Sequence, residues 1–187
     1  MIVGFIRHGE TKYNKDGVVM GATIDIPLND SGKVQAVELA YSIKDFDYEL
    51  IICSPLIRAI ETASIINNTL GKTKDIIVNA AFIERDFGLL EGGDVQNCYF
   101  YLKSEQFDRL HIESDTKLIK RVVEAIFSLK QYGLDKILVV THSHVIKSIY
   151  QYLSKDKYVF DLPIVKNGSI HFFIVNEAIE MMNSNLL

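Results

Sequence analysis

The stretch IVGFIRHGETKYN (residues 2–14) opens with five largely apolar residues and runs straight into Arg7, His8, Gly9, Glu10 and Thr11. Any turn sequence would end a buried strand. A cation, an imidazole and a glycine at that point indicate chemistry at the strand end, and they direct attention to the ends of the other strands.

Short apolar runs rich in Ile and Val recur at LIICS (50–54), DIIVNAAF (75–82) and KILVVTH (136–142), as expected of strands buried on both faces. Between them lie amphipathic stretches at 31–45, 56–70 and 115–133, and a further helix is expected over 145–153. In 115–133, Leu118, Val122, Ala125, Ile126 and Leu129 recur at helical spacing and Gly133 supplies a stop. Residues 169–183 read as two strands around NEA, an antiparallel hairpin. Alternating strands and helices predict an α/β three-layer sandwich: a mostly parallel central sheet, helices on both faces and the hairpin at one edge. Residues 92–114 break the alternation. They begin GGD and mix aromatics with both charges, as either an insertion over a site or a plain surface helix.

In an open parallel sheet, ligands bind beyond the carboxyl ends of the strands. The expected strand ends bring together Arg7 and His8, then Ser54, Pro55 and Arg58, and then Thr141, His142, Ser143 and His144. The carboxylate-rich FIERDFGLLEGG (82–93) follows another apolar run. Guanidinium forks bind phosphate oxygens bidentately and imidazoles can donate or attack, so the set describes a socket for a tetrahedral dianion.

RHGETKYN (7–14), IPLNDSGKVQA (26–36), CSPLIRAIETA (53–63), ERDFGLLEG (84–92) and VVTHSHVI (139–146) stand in this order along the chain. In these blocks the chain resembles the histidine phosphatase superfamily, which includes cofactor-dependent phosphoglycerate mutases and many small phosphatases. The resemblance implies a phosphoglycerate mutase-like fold in one domain, residues 1–187, with a short insertion or lid at about 92–114. It implies His8 as the nucleophile, forming a phosphohistidine, with Arg7, Arg58 and His142 on the phosphoryl oxygens. Glu84 matches the family's proton donor and Asn14 its phosphate-contacting asparagine. Gly9 would turn the backbone and bring amides near the bound group. Thr11 is either a hydroxyl donor to the phosphate or a helix N-cap. Glu10, Asp86 and Glu91 read as structural carboxylates, and Glu61 as an ion-pair partner one turn after Arg58.

The chain departs from the common pattern at THSH, where Ser143 and His144 follow the second histidine and many relatives carry glycine. Ser143 is expected to cap the next helix, with a phosphate contact as its other reading. His144 is expected at the substrate mouth or a helix cap. The alternative, a metal pair with His142, lacks a nearby carboxylate and faces two repelling arginines. The expected enzyme is therefore a metal-independent phosphomonoesterase of histidine acid phosphatase type, requiring no cofactor.

The mutase reading needs a basic segment for a second anionic group. Residues 92–117 instead carry Lys103, Arg109 and Lys117 against Asp94, Glu105, Asp108, Glu113 and Asp115, with His111 and the aromatics Tyr99, Phe100, Tyr101 and Phe107. The substrate is a small phosphorylated molecule: α-ribazole phosphate, a sugar phosphate, a phosphoglycerate or a phosphopeptide. A phospho-ligand binding module with an idle site is the non-enzymatic alternative. The net charge of −4 argues against a nucleic-acid partner. Two cysteines without metal or disulfide spacing, and no apolar run long enough to span a bilayer, lead to the expectation of a cytoplasmic protein.

Overall fold

β1 (Ile2–Arg7) explains why the apolar runs are continuous. Its Val3 and Phe5 enter one core cluster, with Leu118, Val122 and Ile126 from one side of the sheet, while Ile6 enters another with Leu39, Ala63 and Ile66. β4 (Lys136–Thr141) divides in the same way, Ile137 and Val139 to the first cluster and Leu138 and Val140 to the second. Period-two alternation survives, but both faces are covered, so both sets of side chains must be apolar. Each fully buried Phe, Leu or Ile contributes roughly 1.5–3 kcal/mol relative to exposure.

The computed structural model describes residues 1–72, 74–102, 107–155, 162 and 165–182. The sheet has the order β3-β2-β4-β1-β5-β6, where β2 is Leu50–Cys53, β3 Ile76–Val78, β5 Ile170–Val175 and β6 Ile179–Met181. β1, β2, β3 and β4 are mutually parallel, and β5 and β6 form the antiparallel edge hairpin expected from the sequence. One face is covered by α2 (Asp30–Ser42) and α3 (Ile57–Thr69), and the other by α5 (Asp115–Ser128) and α6 (Ser143–Ser154). Two short helices, α1 (Lys12–Asp16) and α4 (Val95–Leu102), lie at the carboxyl end of the sheet, where α1 and Val95 border the cavity described below. Among the described residues no helix is long and apolar enough to cross a membrane.

Helix ends follow local chemistry. Ser114 caps α5 through Lys117 N (3.3 Å), and the helix tightens into a 3-10 turn, Leu129–Tyr132, before the left-handed Gly133. α6 starts at Ser143, two residues earlier than expected, because His142 occupies the N-cap position without a side-chain cap bond. The expectation that Ser143 caps this helix is therefore corrected: it is the first helical residue.

Residues 92–114 contain α4 and a 3-10 turn, Phe107–Leu110. Cys98 and Ile112 pack with Val19 and Phe87 in a small third cluster, so the segment forms a wall beside the sheet end. Phe100 is 72% exposed, its ring edge-on to Tyr101. Lys103, Glu105, Asn183 and the side chains of Tyr99, Phe107 and Asp108 lie outside the described residues.

Candidate active site

The ends of β1 and β4 are neighbours in register, Arg7 opposite Thr141, and His8 N donates to Thr141 O (3.0 Å). The next residue on each strand is a histidine. The His8 and His142 rings meet edge to face, 5.1 Å between centroids. His8 Nδ1 lies 2.7 Å from Gly9 O. A carbonyl can only accept, so Nδ1 carries the proton and Nε2 keeps its lone pair. Burial, then Arg7 and Arg58, hold the His8 pKa well below 6.5, leaving the ring neutral and nucleophilic at neutral pH.

His142 is fully buried behind this pair, with Nε2 2.7 Å from Ser54 Oγ. Ser54 Oγ accepts from Leu56 N (3.3 Å), and its own proton can go to Nε2. His142 then carries its proton on Nδ1, which is buried and has no partner among the described residues.

Arg58 reaches the site from the first turn of α3. It is fully buried; Nη2 donates to Gly21 O and Nη1 to Ile24 O, each 2.8 Å, while Nε has no partner among the described residues. The 21–24 loop is gathered by Glu91, which accepts from Ala22 N (2.9 Å), Thr23 N (3.0 Å), Ile24 N (3.3 Å), Phe87 N (3.1 Å) and the Thr23 hydroxyl. Arg7 donates through Nη1 to Val165 O.

Glu84 stands across the cavity. Burial raises its pKa above 4.5, against the opposing effects of the Arg85 amide (2.9 Å), Arg58 and Arg7. A carboxyl whose pKa burial raises in this way is suited to general acid work. Burial also lowers the pKa of His144, whose ring packs edge-on to Phe87 at 5.0 Å.

A cavity of about 290 Å³ collects most of these groups: Arg7, His8, Asn14, Arg58, Glu84, Ser143 and His144 line it, with Val18, Val19, Met20, Phe87 and Val95 as apolar walls, whereas His142, expected on the phosphoryl oxygens, is not among the lining residues. Among the described residues no group of three or more His, Cys, Asp and Glu is placed to hold a metal ion.

One open sequence reading is decided, for Thr11 in favour of the helix N-cap, and two expectations change, for Gly9 and Glu61. Thr11 is fully buried and caps α1 in a reciprocal box with Asn14, away from the cavity. Gly9 spends its amide on Thr62 Oγ1 (3.1 Å), so it contributes space and a carbonyl rather than an amide. Glu61 makes no ion pair with Arg58; it accepts from Leu28 N (2.7 Å), and the carboxylate nearest Arg58 is Asp25, at 4.0 Å. Glu10 and Asp86 are structural as read, accepting from Asn29 Nδ2 and Gly88 N.

The sequence reading missed Asn167, whose Nδ2 donates to His8 O (3.0 Å) and Asn14 Oδ1 (3.2 Å). With Asn14 Oδ1 so engaged, its NH₂ is what it offers the cavity. The only signal was an Asn-Gly pair before a strand, which reads as a turn.

The family model described as histidine phosphatase superfamily (branch 1) matches residues 3–178. The chain belongs to this superfamily. A member from Bacillus subtilis (strain 168), the uncharacterized phosphatase PhoE, is 34% identical over 156 residues, 81% of this chain and 77% of that protein. The solved phosphoglycerate mutase of Bacillus anthracis str. Sterne matches with a TM-score of 0.84 at 22% identity, over 97% of this chain and 91% of its own. The α-ribazole phosphatase of Shigella flexneri matches with a TM-score of 0.80 at 24% identity, over 97% and 95%. At these identities the two structures bear on the fold alone. Superfamily membership and a phosphatase relative of this coverage make the chain an enzyme of phosphatase type.

Proposed function

We propose that the protein is a metal-independent phosphomonoesterase that works through a phosphohistidine on His8. The observation that carries this reading is the buried imidazole of His8 with Nδ1–H committed to Gly9 O, which leaves the Nε2 lone pair for attack, and two guanidinium groups lining the same cavity. Nε2 attacks phosphorus as the ester P–O bond breaks, and Glu84 delivers its proton to the leaving oxygen. Water then attacks phosphorus, Glu84 takes its proton back, and the P–N bond breaks to release inorganic phosphate. Arg7, Arg58, Asn14 and Ser143, which line the cavity, hold the phosphoryl oxygens, with His142 packed against His8. Positioning and fixed charge dominate such transfers, and here guanidinium groups supply the charge.

The substrate in this reading is a small phosphomonoester. Among the described lining residues Arg7 and Arg58 are the only Arg or Lys, which favours hydrolysis over mutase chemistry on a substrate with a second phosphate. The test is hydrolysis of p-nitrophenyl phosphate with and without EDTA, beside His8→Ala. Turnover that resists EDTA and disappears in the variant is expected. EDTA-sensitive turnover that survives His8→Ala would overturn both the phosphohistidine and the metal independence.

A further inference from the structure

We propose that Arg121 of α5, a residue that does not touch the catalytic cavity, is the positioning residue for the proton donor, with Glu113 as its fixed partner; the inference rests on Glu84 being that donor. Arg121 places all five N–H groups on one short segment and its anchor. Nη1 donates to Ala81 O and Ile83 O (2.9 Å each), Nη2 to Glu84 O (3.3 Å) and Glu113 Oε2 (2.8 Å), and Nε to Glu113 Oε1 (2.7 Å). Lysine cannot reproduce this forked geometry.

The segment needs such a strut. The chain leaves the sheet at Val78 and makes the 3-10 turn Ala80–Phe82, so the carbonyls of Ile83 and Glu84 beyond it have no ladder to join. Glu113 grips the following residues as well: its carbonyl accepts from Arg85 Nε (2.8 Å) and its amide donates to Asp86 O (2.8 Å). Behind the segment lies a second hollow, of about 750 Å³, lined by Ile83, Glu84, Asp86, Glu113 and Arg121. Glu84 thus lines two cavities, one on each side of the segment that Arg121 braces. Its carboxyl accepts only from backbone amides, Arg85 N at 2.9 Å and His144 N at 3.5 Å, so its direction follows the backbone that Arg121 holds. The aim of the donor toward a leaving oxygen is therefore set from α5.

A proton donor matters most when the leaving group is a poor one. The experiment compares kcat/KM, which reports the steps through phosphoryl transfer, for p-nitrophenyl phosphate and an alkyl phosphomonoester in the wild type, Arg121→Met, Arg121→Lys, Glu113→Gln and Glu84→Gln. Misplacing a catalytic group by about 1 Å can cost about 100-fold. Arg121→Met is expected to lose about 100-fold on the alkyl ester and only a few-fold on the nitrophenyl ester, with Arg121→Lys and Glu113→Gln showing the same split at smaller size. If Arg121→Met does not fold, those two variants carry the test. Equal loss on both esters, or none, while Glu84→Gln shows the split overturns the positioning role and leaves the donor assignment standing. Absence of the split in Glu84→Gln itself overturns the donor assignment, and the inference with it.

Discussion

Gly9→Ala tests whether the nucleophile is aimed by close packing of bare backbone. A Cβ built on Gly9 would lie 2.3 Å from the carbonyl oxygen of Gly32, 2.9 Å from its carbon and 3.0 Å from its Cα. These are backbone atoms in the first turn of α2, pinned by Asn29 Oδ1 on Gly32 N (2.8 Å), so no flexible side chain can give way. Ordinary contact begins near 3.4 Å, and the loop must retreat by about 1 Å. Overpacking of this kind costs about 1–3 kcal/mol of stability. The catalytic cost is larger, because the Gly9 carbonyl holds His8 Nδ1 and moves with the loop; about 100-fold in kcat follows for a 1 Å shift. Gly133→Ala is the control. Its φ of +64° strains an alanine by about 1–2 kcal/mol, but nothing lies within 4 Å of the added Cβ. The assay pairs urea unfolding with kcat on p-nitrophenyl phosphate. Gly9→Ala should lose both stability and kcat, and Gly133→Ala stability alone. Wild-type kcat in folded Gly9→Ala would refute the reasoning.

The pH–rate profile should be a bell: His8 must be neutral and its pKa is lowered from 6.5, so the acid limb lies below the usual imidazole range. Glu84 must be protonated and its pKa is raised from 4.5, so the alkaline limb lies above the usual carboxyl range. After correction for substrate ionisation, Glu84→Gln should remove the alkaline limb and keep the acid one; an acid limb at 6.5 or higher would contradict the shift. Glu91→Gln replaces an acceptor oxygen by a donor NH₂ facing backbone amides, loosening the loop whose carbonyls hold Arg58. Inhibition by inorganic phosphate should weaken about tenfold and stability fall by about 1–3 kcal/mol, and an unchanged inhibition constant would sink the link.

The sheet was legible because covering both faces forces continuous Ile and Val runs, and strand ends then located Arg7, His8 and His142 without coordinates. The same strand ends located Arg58, one turn into a helix, whereas Glu84 needed the resemblance in addition, since one acid among several carries no periodic signal. Gly9 was misread, and Thr11 was left between two readings, because an amide or hydroxyl near a site looks available until its partner is known. Thr62 and Asn14 are those partners, the first from a distant helix. Asn167, Glu113 and Arg121 act on backbone carbonyls, and a sequence does not reveal which carbonyls a fold leaves outside its ladders. Ser143 failed by one position: the backbone leaves β4 so directly that the histidine itself stands at the helix entrance.

The pairing of β1 with β4 also sets when the site can exist. His8 stands far ahead of β4, His142 and the Asn167 clamp along the chain. Until β4 is available, β1 has no parallel neighbour and the nucleophile has neither its companion ring nor the tie to Thr141. Contacts so distant along the chain close slowly and late in folding. A chain in which β4 has not yet paired therefore carries an inert imidazole, and phosphatase activity becomes a report that these two distant strands have met.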